Sequence, residues 1–216
     1  MTREEIVNWN ARFSGDEYVF GTEPNAFLAR EAARIEQGGR VLAVADGEGR
    51  NGVWLAQQGF AVHSIEGSPA AIAKAVALAN DRGVAVVASL AELAPGSIFV
   101  EQVDILDWTW PISAYEGVVG IFVQFIGPDD RPRIFTAMAE ALVPHGVVLL
   151  EGYALRQLEY GTGGPRSLPH LYDVALLSTG FPSLNIDEVR EYDAEVDEGP
   201  QHSGMSALID LIATAG

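Results

Sequence analysis

The chain contains no cysteine, so disulfides, thiolate metal sites and a cysteine nucleophile are excluded. Its only lysine is Lys74, and 13 basic residues face 30 acids, for a formal net charge of −17 at pH 7. A surface of that sign repels phosphate backbones and anionic lipid, which argues against nucleic acid and membranes as partners. The histidines His63, His145, His170 and His202 show no HxxxH pairing, so no metal site is expected. Long apolar runs are missing as well: the most apolar, Gly117 to Gly127, is too short to cross a bilayer. The opening residues Met1-Thr2-Arg3-Glu4-Glu5 carry acids where a signal peptide needs basic and apolar blocks, and the expected location is the cytoplasm. Internal repeats and low-complexity tracts are absent.

What is present suits one domain: 216 residues, 48% hydrophobic, enough to fill a sizeable core. Residues 1–39 read as an N-terminal helical, aromatic-rich segment, and 40–216 as the main α/β domain. In the latter, strand-like and helix-like segments alternate. Val41 to Ala45, Ala61 to Glu66, Ser97 to Val103, Gly117 to Phe122 and Val147 to Glu151 read as strands; Asn51 to Gln58, Pro69 to Arg82 and Pro132 to Leu142 read as helices. Such repeats predict a doubly wound parallel sheet. Two further strand-like runs, Leu184 to Val189 and Met205 to Ala213, have only a turn-rich link between them, Glu198 to Gly204, and must pair antiparallel. The expected fold is therefore a mostly parallel seven-stranded sheet closed by an antiparallel C-terminal hairpin. Val84 to Leu93 fits a helix extension or an extra edge strand equally well.

The most informative stretch is Val41-Leu42-Ala43-Val44-Ala45-Asp46-Gly47-Glu48-Gly49-Arg50-Asn51-Gly52. An apolar strand stops at closely spaced glycines and a helix pattern follows at once. Glycine permits close backbone approach to a ligand, and a helix start offers unpaired N–H groups, so this turn predicts a nucleotide-type cofactor site. Glu66 ends the second strand, where an acid is positioned to accept hydrogen bonds from ribose hydroxyls. Asp104, after the third strand, suits the amino group of adenine. Gly47 to Gly52 also matches the dinucleotide pattern GxGxxG, which keeps a nicotinamide-dependent oxidoreductase open as an alternative. The closing antiparallel hairpin and the lack of a second, substrate-binding domain favour a class I methyltransferase fold instead.

The chain resembles the bacterial class I S-adenosylmethionine-dependent methyltransferases of the tellurite-resistance and thiopurine-methyltransferase type. The matching residues are Trp9-Asn10-Ala11-Arg12-Phe13, Gly21-Thr22-Glu23-Pro24-Asn25, Gly47-Glu48-Gly49-Arg50-Asn51, Gly67-Ser68-Pro69, the turn Pro144-His145-Gly146 and Gly161-Thr162-Gly163-Gly164-Pro165. That resemblance implies S-adenosylmethionine as cofactor, S-adenosylhomocysteine as product, and a small acceptor such as a thiol, selenol or metalloid oxyanion. It implies cofactor contacts from Trp9, from Ala45, Asp46, Gly47, Glu48, Gly49 and Asn51, from Glu66, Gly67 and Ser68, and from Asp104 and Ile105. Ile121 and Phe122 are expected near the transferable methyl group. Where the wider family carries an acid and then a glycine in the first strand, this chain has Ala43 and Ala45, and Asp46 stands next door.

The acceptor side is read from topology. The fifth strand and the C-terminal hairpin turn deliver Tyr153 and His202 to the sheet's carboxyl edge, the rim where Gln124 also lies. His202 titrates near neutrality and is the expected proton acceptor, with Tyr153 and Gln124 orienting the substrate. Tyr18, Phe20 and Tyr160 are expected substrate contacts. The aromatic cluster Trp9, Phe13, Tyr18 and Phe20 reads either as a lid over the sulfonium or as a helix packed on the domain. A monomer or homodimer is expected. A non-catalytic, cofactor-sensing protein is the remaining alternative.

Overall fold

Strand β1 (Arg40–Val44) buries both faces, which is why its sequence is continuously apolar rather than alternating. Val41 and Ala43 join one apolar cluster with Val53, Leu55 and Val62; Leu42 and Val44 join another with Val118, Ile134 and Phe135. The computed structural model describes residues 3–199 and 202–216, so Met1 and Thr2 of the expected N-terminal segment, and Pro200 and Gln201 of the expected hairpin link, lie outside the described residues.

Two helices precede β1: α1 (Arg3–Phe13) and α2 (Ala26–Glu31), the latter capped by Asn25, whose side chain accepts from Leu28 N–H. After β1 come α3 (Arg50–Gln57), β2 (Ala61–Glu66), α4 (Pro69–Asp81), β3 (Ala85–Val86), β4 (Ser97–Gln102), β5 (Tyr115–Ile121), α5 (Arg131–Glu140) and β6 (Leu142–Tyr153). The short α6 (Gln157–Tyr160), then α7 (Val174–Gly180), β7 (Leu184–Asp197) and β8 (Ser203–Ala215) complete the chain. Helix α4 starts where the sequence says it should: the Ser68 hydroxyl caps Ala71 N–H and Pro69 occupies the first turn.

Among the described residues the strands form one eight-stranded sheet in the order β3-β4-β2-β1-β5-β6-β8-β7. Strands β3 to β6 and β1, β2 run parallel, and β8 pairs antiparallel with both β6 and β7. The expected α/β sheet with its closing hairpin is borne out, with one correction: there are eight strands, not seven. The additional one is β3, two residues of the ambiguous Val84–Leu93 run, which align with Ser97 and Ile98 at the sheet's edge. Strand β7 is longer than expected because its outer half, Arg190 to Asp197, carries acids on an exposed edge, and charge there masks a strand pattern. The chain order reverses at β1, so a crevice opens beyond the carboxyl ends of β1 and β5.

Two carboxylates face each other in the closing half of the sheet. Glu151 on β6 is in register with Asp210 on β8, and both side chains are buried. The Tyr192 hydroxyl donates to Glu151 Oε1 at 3.2 Å and Asp210 Oδ1 at 3.3 Å, Arg30 reaches Asp210 at 3.0 Å, and Asn25 Nδ2 donates to Glu151 Oε2. Burial, then the charges of Asp210 and Glu198, push Glu151 well up; burial pushes Asp210 up to about 6. Both folded values exceed the ordinary unfolded ones, so folding favours the protonated pair and stability falls as pH rises through about 6. Glu151→Gln, which mimics the protonated acid, should remove Glu151's share of that fall and leave the share of Asp210, whose rise comes from burial. Urea unfolding of both proteins on either side of about pH 6 checks it; parallel pH dependences would show that Glu151 has no share in the effect.

Candidate functional site

The crevice is a cavity of about 810 Å³. Its floor is the turn from β1 to α3, where Ala45 has φ 51 and Gly47 has φ 60. Ala45 thus adopts the left-handed conformation that glycine takes freely, at a cost of about 1–2 kcal/mol for an L residue. Phe122, at the end of β5, does the same with φ 55. Strained non-glycine residues at two adjacent strand ends are a feature of functional sites.

Three acids line this floor and each is occupied. Asp46 accepts from Gly52 N–H at 3.1 Å and from the Ser64 hydroxyl at 2.9 Å; its burial pushes it up to about 7. Glu66 Oε2 accepts from Gly47 N–H at 2.9 Å, and Oε1 from the N–H groups of Gly67 and Ser68, both at 2.8 Å. Burial nonetheless raises Glu66, against the pull of those three donors. Glu48 takes Val19 N–H at 2.8 Å on one oxygen and Lys74 Nζ at 2.7 Å on the other.

The remaining wall is aromatic. Trp9 stacks on Phe13 at 5.4 Å and lies 6.2 Å from Phe20 and 6.4 Å from Phe125. The Arg12 guanidinium sits over Trp9 and Phe20, 4.8 and 5.0 Å from their ring centres. The His202 ring meets Phe122 at 4.5 Å, Phe20 at 4.7 Å and Tyr153 at 5.5 Å. His202 Nδ1 is 3.8 Å from Glu198 Oε2, the oxygen that binds Arg50 Nη2 at 2.7 Å. Burial pushes His202 down, so its ring is neutral at pH 7. Glu198 resists burial through His202 and Arg50 and is held down at about 2.

A family model described as thiopurine S-methyltransferase matches residues 5–213. The chain belongs to the thiopurine S-methyltransferase family. The resemblance drawn from its motifs is borne out, and the protein is an S-adenosylmethionine-dependent methyltransferase. No curated protein matches the chain. Solved structures share its fold at low identity. A protein solved in work on the conversion of a disulfide bond into a thioacetal group during echinomycin biosynthesis is 21% identical with a TM-score of 0.74, covering 98% of this chain and 90% of that one. TehB from Haemophilus influenzae is 18% identical with a TM-score of 0.64, covering 87% and 61%. An S-adenosylmethionine-dependent methyltransferase from Methanosarcina mazei is 16% identical with a TM-score of 0.64, covering 89% and 98%.

The methyltransferase cavity gathers many of the residues expected from sequence. Trp9, Ala45, Asp46, Gly47, Glu48, Asn51, Glu66, Ile121 and Phe122 line it, as do Phe20, Gln124, Tyr153 and His202. Others lie outside its lining. Gly49 packs on α4, where an added Cβ would lie 2.6 Å from Ala75 Cβ. Gly67 and Ser68 sit beneath α1: Ile6 lies over Gly67, and Asn10 Oδ1 accepts from the Ser68 hydroxyl at 3.0 Å. Asp104 Oδ1 accepts from Leu106 N–H, and Ile105 is in the core. The Tyr18 hydroxyl donates to Lys74 O, and Tyr160 is exposed on α6. The Gln124 amide is engaged at both ends, receiving Tyr153 N–H at 2.6 Å and donating to Tyr153 O at 2.8 Å.

Sequence reasoning passed over Arg12, Arg50, Gln157 and Glu198. Arg50 lay inside the quoted glycine motif, but its partner Glu198 is 148 residues away and carries no local signal. Among the described residues no cluster of three or more His, Asp or Glu side chains is placed to hold a metal ion, and no helix is long and apolar enough to cross a membrane.

The third motif glycine has a specific duty. A Cβ on Gly52 would lie 2.3 Å from Asp46 Oδ2, inside the hydrogen bond that shapes the turn. Gly52→Ala should destabilise the fold by about 1–3 kcal/mol and weaken S-adenosylhomocysteine binding at least tenfold. Urea unfolding and calorimetric titration measure the two effects; a variant unchanged in both would show that the turn does not depend on this contact.

Proposed function

We propose that this methyltransferase acts on a small soft nucleophile, a thiol or selenol, bound against the aromatic wall. The observation that carries the reading is the state of the proton acceptors around the cavity. Asp46, Glu48 and Glu66 are all occupied by internal donors, which leaves His202, neutral through burial, as the base. A thiol ionises near pH 8.5 and needs only a weak base, whereas an alcohol or amine needs more help. The family description and the thioacetal chemistry of one fold relative, both concerned with sulfur, point the same way.

S-adenosylmethionine, when bound, supplies a methyl group on a positively charged sulfur. In our reading the turn Ala45 to Gly47 and Asn51 hold its methionine end, and Glu66 meets a ribose hydroxyl through the Oε2 lone pair that its three internal donors leave open. Asp104 and Ile105 are assigned to the adenine end. The faces of Trp9 and Phe20 shield the cationic sulfur from water and favour its charge. His202 would take the acceptor's proton and hold the resulting sulfur nucleophile against the methyl group that the cofactor would supply, with the cofactor's sulfur leaving as a neutral thioether. Alignment of donor and acceptor in such a dry slot supplies about 7–11 kcal/mol through effective concentration.

Thiophenol, phenol and aniline present one ring with three nucleophiles. Thiophenol should be methylated at least about a hundredfold more efficiently than either partner, measured as kcat/KM with radiolabelled S-adenosylmethionine. Methylation of phenol or aniline with thiophenol left untouched would refute the sulfur assignment. For His202→Gln, kcat at pH 7 should fall about a hundredfold. Because burial lowers His202 from 6.5, the wild-type acidic limb should lie below pH 6.5 and vanish in the variant. An unchanged limb would remove His202 from the chemistry.

A further inference from the structure

We propose that Arg50 Nη1 and the Tyr153 hydroxyl form a subsite for a carboxylate carried by the methyl acceptor. This rests on the reading of the cavity as a methyl-transfer site and adds the charge of the substrate to it. Arg50 is 6% exposed and Tyr153 1%, and both line the cavity. Arg50 commits Nη2 to Glu198, but its buried Nη1 has no hydrogen-bond partner among the described residues, and neither has the buried Tyr153 hydroxyl. A buried donor left unmatched costs about 1–3 kcal/mol, more when charged. With His202 Nδ1, a third buried polar atom on this cavity without a hydrogen-bond partner, these donors mark a place shaped for a polar group from outside the chain.

The surroundings select the kind of group. Burial raises the Tyr153 phenol, which stays protonated and donates. Arg50 offers a second fork nitrogen, a geometry that suits paired oxygens. The cavity's acids are each engaged by internal donors, Gly52, Ser64, Lys74 and backbone N–H groups, and none bonds to Arg50 Nη1 or the Tyr153 hydroxyl. Glu198 pairs with Arg50 through Nη2 alone, which leaves Nη1 unmatched among the described residues. A neutral amide has one good acceptor oxygen for two donors. Phe122 and His202 pack against Tyr153, at 4.7 and 5.5 Å between ring centres, which places the subsite on the acceptor's side.

The methionine carboxylate of the cofactor offers the same chemistry, and the experiment separates the two sources. The protein is loaded with S-adenosylhomocysteine, and binding of phenylacetate and of phenylacetamide is measured by calorimetry for wild type, Tyr153→Phe and Arg50→Lys. Affinity for S-adenosylhomocysteine itself is measured on each unloaded protein. Wild type should prefer the acid to the amide by about tenfold or more. Each variant should lose most of that preference, with S-adenosylhomocysteine affinity changed less than about twofold. Arg50→Lys keeps a charge beside Glu198 but lacks the second fork nitrogen. Should it fail to fold, Tyr153→Phe decides alone, since no described residue bonds to the phenol oxygen. Absent or equal binding of acid and amide overturns the proposal, as does a preference that survives both substitutions. A tenfold loss of S-adenosylhomocysteine affinity with the preference intact overturns it too, by giving the donors to the cofactor. These readouts need no turnover, so failure of thiophenol methylation would retire the sulfur assignment and leave the carboxylate result standing.

Discussion

The Glu198 carboxylate is the contact on which the closed cavity depends. It receives Arg50 Nη2 from the start of α3, Asn25 Nδ2 and Ala26 N–H from the start of α2, and it stands 3.8 Å from His202 Nδ1 in its own hairpin turn. One half-buried anion thus ties three segments far apart in sequence. A carboxylate loses solvation even when half-buried, and here a guanidinium and two N–H donors offset that loss. Backbone contact reinforces the closure: an added Cβ on Gly199 would lie 2.4 Å from Gly21 N. The N-terminal segment and the hairpin turn therefore meet beside the cavity as tightly as two strands in a core.

That dependence explains what the sequence shows and what it hides. The β1–turn–α3 unit and the cap of α4 are legible because every cause is local: apolar run, glycines, Ser68, Pro69. The closing hairpin is legible because a short link without a helix allows only antiparallel pairing. Strand β3 is not, since two residues carry no periodicity, and its pairing with Ser97 and Ile98 is a tertiary event. Residue types at the site were legible more often than residue duties. Gln124 reads as a polar group free to orient substrate, yet its amide fastens β6 at Tyr153, a use that no spacing announces.

Ala43 and Ala45 show how a fold tolerates departures from its family's pattern. The glycine expected at 45 is replaced by a residue that still adopts φ 51, so the shape of the turn survives at the cost of local strain. The acid expected at 43 has no such stand-in. Asp46 is adjacent, but its oxygens are turned to Gly52 and Ser64, inside the protein. Backbone groups of the turn are what remains at that point for a ligand's polar end, and backbone groups do not depend on side-chain identity.

The acids of the cavity also resolve an apparent conflict between charge and chemistry. A chain with 30 acids would be expected to present a negative site, hostile to an anionic substrate and content with cations. Instead each lining acid is enlisted in holding the walls together. Glu48 is the clearest case. It binds Val19 N–H and Lys74 Nζ at once, and Lys74 also donates to Glu17 O at 2.6 Å, so the chain's lone lysine pins residues 17–20 beside the glycine turn. Phe20 is thereby delivered against His202. A residue that reads in isolation as a cofactor contact is also the anchor of an aromatic wall. The unmatched donor left to the cavity belongs to Arg50, whose Nη1 has no partner among the described residues.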